Sequence, residues 1–110
     1  MNTWETTNRV LEAISDMNPR RVIVFGSGVK GSVGGDLDLD LAVVFDDVED
    51  GFDRLETTLS IRRRIRQINA EVAIDIVVYT ESEYRRLATQ RSFLRSEIIE
   101  RGRIVYEEAG

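Results

Sequence analysis

The chain has 110 residues, 42% of them hydrophobic and 32% charged, the length and balance of one ordinary globular domain. It contains neither cysteine nor histidine, which excludes disulfides, thiolate zinc sites and imidazole acid–base chemistry. A net charge of −5 disfavours nucleic acid as the main partner. With no long apolar run and no signal-peptide pattern, the expectation is a cytoplasmic protein that does not engage a membrane.

Residues 3–17 carry Val10, Leu11, Ile14 and Met17 at helical spacing, and Asn18-Pro19 ends that helix. Arg21–Phe25 predicts a first strand, buried on both faces because its Val-Ile-Val-Phe run is unbroken. A glycine-rich loop over 26–35 leads to a second strand over Asp38–Phe45. Residues 49–69 predict a helix with Phe52, Leu55, Leu59, Ile65 and Ile68 along a broad apolar stripe. Val72–Tyr79 predicts a third strand, and Thr80-x-x-Glu83 a capping box that opens a short helix containing Tyr84 and Leu87. A last helix from Ser92 to Arg101 is expected to stop with Gly102 at C′, before a short edge strand over Arg103–Tyr106. The fold class that follows is α/β (α+β): a small mixed sheet with helices packed against it in two layers, one domain over residues 1–110.

The chemistry concentrates at the second strand. Side chains alternate along a strand, so Asp38 and Asp40 project to one side about 7 Å apart. Two carboxylates so placed repel each other unless a cation sits between them. Hard oxygen ligands of this kind suit Mg²⁺, which takes one or two carboxylates and completes its shell with waters and substrate phosphates. The Gly26-Ser27 turn upstream offers backbone N–H groups and a hydroxyl to such phosphates. Asp36 shares the parity of Asp38 and Asp40, so an early strand start would make Asp36-x-Asp38 the pair; Gly34-Gly35 argues that Asp36 still belongs to the loop. Asp75, between Ile74 and Ile76, reads either as a side chain facing solvent on a one-sided strand or, because it interrupts the row of Ala73, Val77 and Tyr79, as a charge whose burial cost a shared metal centre relieves, the reading favoured here. Lys30 is the single lysine among 15 basic residues and lies in the glycine loop, as a phosphate ligand would. Arg62, Arg63, Arg64 and Arg66 form the one basic cluster, read as a solvated helix face or as a docking face for an acidic partner or a tRNA-like end.

Gly26-Ser27, ten intervening residues, then Asp38-Leu39-Asp40 resembles the signature of the DNA polymerase β-like nucleotidyltransferase superfamily. The ten-residue gap fits that family only when Asp38 opens the pair. Within the superfamily the chain resembles the minimal nucleotidyltransferases, antitoxin-type partners of HEPN-domain toxins. Their loop commonly reads GSRARG; here Lys30 and Gly31 hold the second basic and final glycine positions, Gly28 replaces the first basic residue, and Leu37 stands where serine is usual. Asp75 in Val-Ala-Ile-Asp-Ile matches the third carboxylate, and the segment from Phe93 to Glu107 is similar to the closing helix and strand.

The resemblance implies an enzyme in which Gly26, Ser27, Lys30 and Gly31 hold the phosphates of ATP. It implies that Asp38, Asp40 and Asp75 bind two Mg²⁺ ions and that Asp75 also helps deprotonate the acceptor. AMP would pass to a hydroxyl, expected on a tyrosine of a HEPN partner that supplies the acceptor surface. Two other readings stand beside it: a non-catalytic antitoxin that masks its partner, and a transferase acting on a small hydroxylated molecule such as an aminoglycoside.

Overall fold

The computed structural model describes residues 1–49 and 51–108. Helix α1 spans Thr3–Ile14; the Asn2 side-chain oxygen caps it, accepting from the N–H groups of Trp4 (2.8 Å) and Glu5 (3.1 Å). A 3₁₀ turn over Ser15–Met17 prolongs it until Asn18, in left-handed conformation at φ 54°, turns the chain into Pro19. Strand β1 (Arg21–Phe25) leads through a 3₁₀ turn (Gly26–Lys30) and an irregular loop to β2 (Leu39–Phe45). Helices α2 (Arg54–Arg64) and α3 (Arg66–Glu71) carry the crossover to β3 (Ile74–Thr80). Helix α4 (Glu81–Leu87), a single turn α5 (Phe93–Arg95) continued by a π turn (Ser96–Glu100), and β4 (Arg103–Glu107) complete the chain.

The four strands form one mixed sheet in the order β3-β2-β1-β4, with β1 antiparallel to both neighbours and β2 parallel to β3. Strand parity decides what each face does. Leu39, Leu41 and Val43 point with Val22 and Val24 toward α1, α2 and α3, where Val10, Ile14, Ile61 and Ile65 complete the main core. These are the two principal layers. The opposite face carries Asp40, Ala42 and Val44, and α4 and the π turn cover only part of it, through Leu87 and Ile98. Asp40 lies toward the uncovered end. Among the described residues no helix is long and apolar enough to cross a membrane.

The capping box at Thr80 and Glu83 forms in full, and β4 is an edge strand as expected. Four expectations need correction. The helix expected over 49–69 begins at Arg54, where the Asp53 carboxylate accepts from the Glu56 N–H at 2.9 Å; residue 50 of that range lies outside the described residues. Its stripe is rotated: Leu55 is 69% and Leu59 41% exposed, while Ile61 is fully buried and forms with Ile65 and Ile68 the seam against the sheet. The helix also breaks at Ile65 (φ −101°, ψ 10°), which lets α3 bend back toward β3. Finally, Gly102 is not a left-handed cap. A Cβ there would overlap the Ile98 carbonyl oxygen and come within 2.8 Å of Ile23 Cγ2, so its absent side chain permits the closing turn to press onto β1.

Candidate active site

The glycine loop is tied to the first turn of α1. Thr3, fully buried, donates from its hydroxyl to the Gly28 carbonyl (2.8 Å) and from its N–H to the Gly31 carbonyl (3.1 Å). Gly31 closes the 3₁₀ turn through its N–H to the Gly28 carbonyl at 2.9 Å. Ser27 and Lys30 are exposed. Gly28 is buried, and a Cβ on it would point inward, 3.2 Å from Val33 Cγ1 and 3.5 Å from Leu39 Cδ1. The loop therefore presents Ser27 and Lys30 outward and keeps position 28 for packing.

Gly26 has φ +70°, and a Cβ there would overlap Oδ2 of Asp40. The loop backbone and that carboxylate are in direct apposition, which only glycine allows. Asp40 sits opposite Asp75 in the parallel β2–β3 register and opposite Phe25 in β1. Partial burial first, then the charges of Asp75 and Asp38, push the Asp40 carboxyl up to about 6, with a smaller contribution from Glu97. Asp38 precedes β2 and is half-buried; Asp36 lies exposed in the Gly34–Leu37 turn, closed by the Gly34 N–H to the Leu37 carbonyl (2.7 Å). Leu37 is exposed in the same turn.

Asp75 differs from its expected setting. It and Ala73 are exposed, because β3 is an edge strand whose first residues lie beyond the cover of α4 and the π turn. The burial cost expected for it from its apolar row is absent; its proximity to Asp40 remains.

Two residues of the closing helix, neither of them singled out by the sequence, join this site. Glu97 and Arg101 line a cavity of about 320 Å³ together with Gly26, Ser27, Val29 and Lys30. They form an i,i+4 ion pair at 3.4 Å. Their spacing is visible in the sequence, but their direction depends on the π turn, in which the Arg101 N–H reaches back to the Ser96 carbonyl at 3.0 Å. One extra residue per turn redirects the following side chains by roughly 100°.

A divalent cation fits the chemistry of this donor set. Carboxylates crowd one another at the Asp40 end of the sheet, where Asp75 and Asp38 raise the Asp40 carboxyl. Among the described residues no three acidic side chains stand close enough to enclose a metal ion by themselves. That suits a hard cation held by one or two carboxylates and completed by water and substrate oxygens.

Residues 8–109 match the family described as "Polymerase beta, Nucleotidyltransferase". No curated protein matches the sequence. Among solved structures, a Sulfolobus solfataricus protein provisionally named a nucleotidyltransferase superposes with a TM-score of 0.57 at 22% identity, over 76% of this chain and 72% of that one. That likeness establishes a shared fold.

Proposed function

We propose that this chain, which belongs to the polymerase β nucleotidyltransferase family, transfers AMP from ATP to a protein hydroxyl. The acceptor we assign is a tyrosine of a HEPN-domain partner. The observation that carries the reading is the apposition of the Gly26-Ser27 turn to the Asp40 carboxylate, with Asp75 across the ladder. Phosphate donors and charge-bearing oxygens then lie on one side of the sheet end, as in-line transfer at phosphorus demands.

Each residue has a part in that reaction. The N–H groups of the turn and the Ser27 hydroxyl donate to the β- and γ-phosphates; Lys30 neutralises them, and Gly31 shapes the turn. Asp40, together with Asp38 or with Asp75, would hold Mg²⁺, which when bound neutralises charge on the triphosphate oxygens and lowers the pKa of an oxygen beside it. Asp75, the exposed member, faces an incoming hydroxyl and accepts its proton. The acceptor oxygen bonds to the α-phosphorus, the bond from that phosphorus to the bridging oxygen breaks, and pyrophosphate leaves. The part-open sheet face beside Asp40 and Asp75 leaves room for a partner's side chain.

The test is transfer of label from ATP labelled at the α-phosphate, with Mg²⁺, to a co-purified HEPN-domain protein encoded beside this chain. Label on the partner that disappears with Asp40→Asn and with Asp75→Asn is the expected result. No label, with wild type and both variants protecting cells from the partner equally, would establish a masking protein instead.

A further inference from the structure

We infer that Arg101, delivered by the π turn, is a second triphosphate-binding cation of this site; the assignment rests on the nucleotide reading given above. The loop by itself is short of positive charge. Lys30 is its single basic side chain, and position 28 cannot supply another, since its Cβ direction leads between Val33 and Leu39 into the core. Beside the charge that bound Mg²⁺ would take up, the loop offers the triphosphate one ammonium and no planar two-pronged donor.

The closing turn makes up the deficit. Arg101 lines the same cavity as Gly26, Ser27 and Lys30. Its neighbours are committed elsewhere: Arg95 pairs with Glu100 and donates to the Ala88 carbonyl at 3.0 Å, and the Arg103 guanidinium stacks over Trp4 at 4.4 Å. Among the described residues Arg101 has one tie, the 3.4 Å contact with Glu97, and its side chain is 75% exposed. Such an exposed pair is weak. It aims the guanidinium along the cavity wall without holding it against a stronger acceptor, and a phosphate offers two oxygens to the planar fork. Glu97, only 17% exposed, is the group that holds the guanidinium at the cavity.

Calorimetric titration decides the matter, with Mg²⁺ and a non-hydrolysable ATP analogue, and in parallel with AMP. Wild type, Lys30→Ala, Arg101→Ala and Arg101→Lys are compared, with the melting temperature of each as a check on folding. Losing one charged phosphate contact corresponds to about a tenfold to hundredfold weakening. Arg101→Ala should show that loss for the triphosphate analogue alone, leave AMP affinity and melting temperature unchanged, and be partly restored in Arg101→Lys. Equal triphosphate affinity in Arg101→Ala and wild type, while Lys30→Ala weakens it, would overturn the assignment and leave the nucleotide site intact. Equal losses for AMP and the triphosphate would overturn it as well. Wild type that binds no nucleotide would instead remove the reading on which the assignment stands.

Discussion

Asp40 is the residue on which the site turns, and it is held in an uncomfortable place. Its carboxylate lies against the Gly26 backbone with Asp75 across the ladder and Asp38 two residues before it, and its pKa is pushed up to about 6. The folded chain therefore keeps a proton that the unfolded chain, with a carboxyl near 3.8, has already lost. Stability falls as pH rises from about 4 to about 6 and stays lowered above that. Discounted for the water around a half-buried group, the raised pKa costs about 1 kcal/mol. In metal-free buffer at pH 8, Asp40→Asn should therefore raise stability by about that amount, and the gain should vanish near pH 4. Urea unfolding of both proteins at the two pH values checks this; a variant less stable at pH 8 would mean that Asp40 is paired rather than crowded. At this scale the sequence sets Asp38 two residues before Asp40, but the structure begins β2 at Leu39, so Asp38 precedes the strand that it was expected to open. The Asp40–Asp75 neighbourhood needs the strand order, and the inward direction of Gly28 needs the loop's packing on Val33 and Leu39. Neither is written in local spacing.

At the scale of elements, the strands were legible to within two residues and the crossover helix was not. Leu55 and Leu59 satisfy a helical period as well as Ile61, Ile65 and Ile68 do, so periodicity alone allows two rotations of α2. The break at Ile65 and the Asp53 cap choose between them. The consequence is measurable. Ile61→Ala removes a fully buried side chain and should cost about 2–4 kcal/mol, whereas Leu55→Ala should stay within about 0.5 kcal/mol. Equal costs in urea unfolding would return the helix to the rotation expected from Leu55 and Leu59. The π turn was illegible for a similar reason: Ser92 through Arg101 reads as an ordinary capped helix. Its widened turn, and a Gly102 that fits by lacking a side chain, are products of packing on Ile23.

Across the whole molecule, the sheet separates stability from chemistry. One face is closed by α1, α2 and α3 around a continuous core, while the other is covered by α4 and the π turn at one end and carries the carboxylates at its open end. Helix α4 is fixed to the sheet by Glu81, buried against Arg21 (2.7 Å) and Arg20 (3.2 Å), with Arg21 also reaching Glu107 of β4 at 2.8 Å. That network is anchored at Arg21, the opposite end of β1 from Phe25 and Gly26. Everything proposed for the open end depends on its taking a metal-loaded nucleoside triphosphate. Calorimetric titration of a non-hydrolysable ATP analogue, with Mg²⁺ and with chelator, into wild type and Asp40→Asn tests this at its root. Wild type should bind the analogue only with Mg²⁺, and Asp40→Asn should lose that binding; affinity indifferent to Mg²⁺, or unchanged in the folded variant, would place the nucleotide elsewhere or nowhere on this chain.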